Sequence, residues 1–392
     1  MKYADIVLGL AVFSYILVYR SSIIIEPKFS LSFSFFLVVV LTSLARSPVS
    51  LSGQGFLDVL RYITGFLTSL LTFNYIYRKE ISFKQVRNVF VISTVVSCAI
   101  AITVSVLFLV GYQPGWVKSM LSGVNQARAK PFYYDPNQYG SVLTIGYVLS
   151  FHIVYDLYSN GKSTPLVILS GLLPSFIGIG IVATGSRTGL GILILTTALF
   201  IMSCIYSLTD FSIKISHFST LIIIILSSVL VFFDRFLYLF NMRFLRSGSV
   251  VAGIRNRITL WKGAIVSWEN YPFLGLGPNN YFFGLPFEVS ARSSHNIYVG
   301  ILSQFGVVGL ASSIAIIFIP LTRLGRDIIC RRNVISSFVF ISLSSLLFWG
   351  VFLDIYKSRQ FWFLIGLALG VSNSGKRGDA KDFTKTLETS NR

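Results

Sequence analysis

Apolar positions in this chain run unbroken for the lengths a bilayer-crossing helix needs, and polar positions are confined to the gaps between them. Val89–Val110 is 22 residues without a charge, Pro165–Thr184 is 20, Leu190–Leu208 is 19, Asn296–Thr322 is 27 and Val334–Leu353 is 20. A helix needs roughly 20 such residues to span the hydrocarbon core. Shorter apolar segments at Ile6–Tyr19, Phe29–Ala45, Phe56–Tyr77, Gly140–Tyr158, Phe218–Phe233 and Phe361–Val371 bring the count to eleven. Ile6–Tyr19 follows Lys2 in the manner of a signal peptide, but no small-residue cleavage site comes after it, so it reads as an uncleaved first helix. The pattern predicts an all-α polytopic membrane protein, a single membrane domain over 1–392 with no internal repeat. Most gaps are short. The longer ones are 111–137 and 234–294.

Composition agrees. Hydrophobic residues make up 54% and charged residues 12%, with a mean hydropathy of +0.72. A soluble domain carries about a quarter charged residues, so soluble, fibrous and disordered classes are excluded. Net charge is +18, from 33 Lys+Arg against 15 Asp+Glu. In a soluble protein such a balance suggests nucleic acid. Here the basic residues sit mostly in short gaps, where they set orientation and meet anionic lipid, so lipids are expected as partners and nucleic acid is not. Cys98, Cys204 and Cys330 lack metal or redox spacing.

Three basic stretches, Arg78–Arg87, Arg323–Arg332 and the tail 373–392, are placed in the cytoplasm by the tendency of Lys and Arg to remain there. Both long loops then face the periplasm. The N-terminus also falls outside, unless a re-entrant or twelfth segment precedes Arg78.

Against this orientation, 241–294 carries Arg243, Arg246, Arg255, Arg257, Lys262 and Arg292 with only Glu269 and Glu288. Arg187 lies on the same side, in the tight connection Gly185-Ser186-Arg187-Thr188-Gly189 between uncharged helices. Arginines there do not help orientation. Planar guanidinium groups bind phosphate oxygens in pairs and keep their charge, so a phosphate-bearing lipid is the expected partner, with solvated loop charge as the plainer alternative.

His295 precedes the long helix within Ser293-Ser294-His295-Asn296 and is the one histidine assigned to the outer face. A helix N-terminus is positive, which favours a neutral ring suited to general-base work. Simple helix capping is the alternative, and both readings stand at this point. Asp135-Pro136-Asn137 reads as a helix start, and Pro272–Asn280 as a turn-rich segment able to bring backbone near a ligand. The outer loops hold few carboxylates and no metal-ligand pattern, so no metal and no cofactor are expected.

In combination these motifs resemble the superfamily of O-antigen ligases and Wzy-type polymerases of bacterial envelope polysaccharide assembly. The matching pieces, in order, are Thr184-Gly185-Ser186-Arg187-Thr188-Gly189, Arg257-Ile258-Thr259-Leu260-Trp261, Pro272-Phe273-Leu274-Gly275-Leu276-Gly277-Pro278-Asn279, Ser294-His295-Asn296-Ile297-Tyr298 and Phe305-Gly306-Val307-Val308-Gly309-Leu310. Phe132–Tyr139 adds to them, and the resemblance covers roughly Lys130 to Leu310. It implies a GT-C-like, all-helical membrane glycosyltransferase of about 11–12 transmembrane helices with a large periplasmic loop, and both termini in the cytoplasm. It implies His295 as the group that activates the acceptor hydroxyl. It implies Arg187 and Arg257 as ligands of the donor diphosphate, with Arg255 able to exchange roles with Arg257, and Asn296, Asn137 and Asn279 as further substrate contacts.

The implied donor is an undecaprenyl-diphosphate-linked glycan, and the enzyme an inverting, metal-independent glycosyltransferase of the bacterial inner membrane. The implied acceptor is another lipid-linked repeat unit for a polymerase, with a chain-length regulator as a further partner, or the lipid A-core for a ligase. A lipid-linked oligosaccharide flippase is the competing class. It fits less well, because a transporter places ionisable residues or broken helices near the bilayer midplane and repeats its halves.

Overall fold

The computed structural model describes residues 23–47, 53–122, 128–207, 249–281 and 293–373. The expected helices Ile6–Tyr19 and Phe218–Phe233 lie outside these residues, as does nearly all of the tail 373–392. The described elements are α1 (Pro27–Ala45), α2 (Gly53–Tyr77), α3 (Phe83–Leu109), α4 (Gly115–Ser119), a two-residue hairpin β1 (Leu121–Ser122) and β2 (Arg128–Ala129), α5 (Pro136–Ser159), α6 (Thr164–Ser170), α7 (Leu172–Ala183), α8 (Arg187–Ser207), α9 (Ser249–Asn270), α10 (Ile297–Arg331), α11 (Val334–Gly350) and α12 at 359–373. β1 and β2 pair antiparallel, Leu121 opposite Ala129.

Among the described residues, α1, α2, α3, α5, the α6–α7 stretch and α10 are long and apolar enough to cross a membrane; Arg187–Phe200 and α11 are shorter apolar helices. The protein is therefore an all-α polytopic membrane protein, as the hydropathy pattern requires.

Local signals set several helix starts. Pro27 and Pro136 occupy first-turn positions, where a missing N–H costs nothing. Glu26 caps α1 by accepting from the Phe29 amide, and Asp135 caps α5 by accepting from the Asn137 amide. One expectation needs correcting. Most of Arg323–Arg332 is not a loop: α10 continues to Arg331, and the turn between helices is only Arg332 and Asn333. Cations near a helix C-terminus complement its dipole, and Asp327 pairs with Arg331 one turn on at 3.3 Å.

The chain divides into two compact units: Met1–Phe83 with Arg257–Leu343 and Gly350–Arg392, and Lys84–Asn256 with Ser344–Trp349. In the first, α1 packs along α10 and against α2. Its core is aromatic: Phe36 meets Tyr62 and Phe305 edge-on at 5.5 and 5.6 Å, and the Trp362 indole donates to the Tyr356 carbonyl at 2.7 Å.

α10 is broken at Gly306, which adopts φ 65° and ψ −166°. A Cβ there would lie 2.2 Å from the carbonyl of Phe273, so only glycine fits. Into this break runs the segment after α9. The Leu276 and Gly277 amides donate to the Ser303 and Gln304 carbonyls at 2.9 and 2.8 Å, and the Val307 amide donates to the Pro272 carbonyl at 2.9 Å. Ser43 of α1 donates to the Leu274 and Gln304 carbonyls, and Ser47 to that of Leu276. Irregular backbone at membrane depth is tolerated only where protein supplies its hydrogen bonds, and here it does.

In the second unit α5 packs on α7 and α8. Tyr139 meets Ser97 of α3 at 3.0 Å, and the Trp349 indole donates to Thr144 at 3.1 Å. Near the α3 start, Arg87 lies 2.7 Å from His152 Nδ1 and 3.2 Å from Asp156, which also pairs with Lys84 at 2.9 Å.

Candidate functional site

The candidate residues fall in both units. In the second, the connection between α7 and α8 is held as a rigid turn. Ser186 precedes the first residue of α8, and its hydroxyl accepts from the Gly189 amide at 3.0 Å, as an N-cap does. The same hydroxyl donates to Asn137 Oδ1 at 2.7 Å, and the Ser186 amide donates to Thr184 Oγ1 at 3.1 Å. Arg128 closes the arrangement, donating to Asn137 Oδ1 at 3.1 Å and to the Thr184 carbonyl at 3.4 Å. Arg187, half-buried, is therefore presented from the first turn of α8. A cation there opposes the helix dipole, a cost of about 0.3–1 kcal/mol. Helix stability does not account for Arg187. A guanidinium and a helix start are both suited to an anion.

Asn137, expected as a substrate contact, uses its side-chain oxygen to hold this turn. Arg128, a basic residue of the 111–137 loop, is the second clamp.

In the first unit, Asn296 caps α10, its Oδ1 accepting from the amides of Tyr298 and Val299 at 2.9 and 3.1 Å. Ser294 is buried and donates to the Asn296 carbonyl at 2.8 Å. His295 lies between them with φ 51°, a left-handed conformation that is uncommon outside glycine and better tolerated by His, Asn and Asp than by β-branched residues. Its amide donates to Ser293 Oγ at 3.1 Å. The cap is thus Asn296, and the histidine is a half-buried side chain on a strained turn.

α9 carries Arg255 and Arg257, about 200° apart around the helix axis. Arg255 is exposed and falls in the second unit; Arg257 falls in the first, its guanidinium 5.1 Å from the centre of the Phe352 ring. Asn279 takes φ 64°, and its amide donates to Gln304 Oε1 at 2.8 Å. The first unit therefore holds His295, Asn296, Arg257 and Asn279, and the second holds Arg187, Arg255 and Asn137.

Sequence reasoning missed a charged cluster in the first unit. Asp58, 1% exposed, accepts from Arg61 at 2.6 Å and from Lys357 at 2.5 Å. Lys357 also donates to the Tyr281 hydroxyl at 2.9 Å, and that hydroxyl donates to Asp354 at 2.7 Å. Burial and then Asp354 push the Tyr281 phenol well above its usual range. Burial pulls the Lys357 ammonium down, but Asp354, Tyr62 and Asp58 together hold it above the ordinary lysine value. A neutral phenol and a full ammonium are the resting forms. The signal was present: a carboxylate at position 58, inside an apolar segment, is costly unless paired. Among the described residues no group of three or more His, Cys, Asp or Glu is arranged to hold a metal.

Arg187 thus stands on a clamped helix start in one unit, and His295 on a strained turn in the other. Residues 172–314 match the Wzy_C family model, described as O-antigen ligase. This match supports the O-antigen ligase/Wzy superfamily and a membrane enzyme of the ligase or polymerase type. The matched stretch runs from α7 into α10 and contains Arg187, Arg255, Arg257, Asn279, His295 and Asn296. No curated protein matches the chain.

Proposed function

We propose that the protein is an integral-membrane glycosyltransferase of the bacterial inner membrane. On its periplasmic face it polymerises repeat units carried on a polyprenyl diphosphate. The observation that supports this reading is Arg187 in the first turn of α8, where a guanidinium and a helix start together suit an anionic ligand. His295 takes the proton of the acceptor hydroxyl as its oxygen attacks the anomeric carbon. The bond from that carbon to the diphosphate oxygen breaks, and the diphosphate leaves with the electron pair. Arg187 and Arg257 stabilise the charge that develops on it, Arg255 taking the place of Arg257 if the two exchange roles. Displacement in one step inverts the anomeric configuration. The leaving group is already attached to the sugar, so the reaction needs no nucleotide sugar, and with arginines neutralising the diphosphate it needs no divalent cation.

A second reading, transfer to the lipid A-core, is favoured by the family description itself, O-antigen ligase. Purified protein in liposomes separates the two. A polymerase given only lipid-linked repeat units produces a ladder of longer lipid-linked glycans, with or without chelator. Product only on addition of lipopolysaccharide core establishes the ligase instead, and absence of transfer to either acceptor overturns both.

The periplasmic placement has its own test. Tyr134, 82% exposed, lies in the loop before α5, and the native Cys330 is exposed near the end of α10. In cells with a permeabilised outer membrane, an impermeant thiol reagent should label Tyr134→Cys at once and Cys330 only after lysis. The reverse order would overturn the orientation.

A further inference from the structure

The Asp58–Lys357–Tyr281–Asp354 cluster lies beside the turn that carries His295. Gly300, in the first turn of α10, has two close neighbours: an added Cβ would be 2.7 Å from Ser294 Oγ and 3.3 Å from Tyr281 Cε1. Tyr281 and Ser294 thus close over the same residue, one side chain from the 271–281 segment and one from the residue preceding His295. Tyr281 also engages Gln304, which donates to the Gly300 carbonyl at 2.8 Å and accepts from the Asn279 amide. Tyr281 is itself fixed at its far end, where its hydroxyl receives Lys357 Nζ and gives its proton to Asp354.

We propose that Lys357 is a positioning residue for His295. Its ammonium, clamped by Asp58, locks the Tyr281 ring against Gly300 and so fixes the turn from which the histidine projects. The cluster is charge-balanced, Arg61 and Lys357 against Asp58 and Asp354, so packing alone does not require its polar character. Buried ion pairs are often replaced by neutral groups without loss of stability. A hydrogen bond directed at one phenol is what a neutral substitute loses. This inference rests on the proposed role of His295.

The test is a paired substitution with turnover measured on lipid-linked substrate. Lys357→Met alone leaves Asp58 and Asp354 with one cation fewer between them, Arg61 still facing Asp58, and should lower both the melting temperature and kcat. Asp58→Asn with Lys357→Met keeps the charge balanced and should restore the melting temperature, while kcat stays at least about tenfold down and KM for the donor shifts less than about twofold, the signature of a misplaced base rather than lost binding. Tyr281→Phe, which keeps the ring and removes only the hydroxyl, should lower kcat in the same way and decides the matter if the double variant fails to fold. A kcat per folded molecule within twofold of wild type in the double variant or in Tyr281→Phe overturns the role of Lys357. His295→Ala run alongside keeps the two ideas apart: if it retains full activity, the catalytic reading itself fails, whatever Lys357 does.

Discussion

His295→Ala should abolish polymer formation while lipid-linked repeat units accumulate, because the loss falls on chemistry and not on supply. A positioned general base contributes about 10²–10⁴-fold, so only trace product should remain. The capping alternative makes a different forecast, and the structure sharpens it. Asn296 supplies the cap through its bonds to the amides of Tyr298 and Val299, so the start of α10 survives removal of the imidazole. Alanine does lose the histidine's tolerance for the left-handed backbone at this position. His295→Asn removes the imidazole while tolerating that backbone and should be equally inactive. Near wild-type turnover in either variant, at equal protein in the membrane, would remove His295 from the mechanism.

Arg187→Lys should cost about 10- to 100-fold in kcat/KM for the lipid-linked donor, although charge is conserved. Lysine offers a point charge where the guanidinium offers two parallel donors, and a charge-assisted hydrogen bond is worth about 1.5–3 kcal/mol. The turn should persist in the variant, since Ser186, Asn137, Thr184 and Arg128 hold it through bonds that do not involve the Arg187 side chain. If Arg187 only meets lipid headgroups, the lysine variant will turn over normally in detergent and in liposomes alike.

Helices and turns were legible in the sequence to different degrees, for physical reasons. Uncharged runs such as Val89–Val110 announce themselves because hydrocarbon admits little else, and α3 spans Phe83–Leu109. Arg187 and His295 stood out as polar groups set at the edges of such runs. The break at Gly306 did not: the residues around it are as apolar as the rest of α10, and what breaks the helix is a backbone segment some thirty positions earlier. Backbone hydrogen bonds leave no mark on side-chain pattern. Pro272–Asn280 read as a turn able to approach a ligand, whereas its nearest described partner is the open helix itself. Lys357 and Asp58 were hidden differently. Their charges cancel, and 299 positions separate them.

That separation bears on how the protein is made. Ser43 bonds carbonyls 231 and 261 residues further on, and Glu26 meets Arg323 after 297. At roughly 5–20 residues per second, a ribosome takes about 15–60 s to travel from Asp58 to Lys357. During that interval α1 and α2 sit in the membrane with polar side chains whose partners have not been synthesised. The turn bearing His295 cannot be braced until the 351–358 bend has emerged, so a chain that stops short of that bend carries the histidine on an unsupported turn.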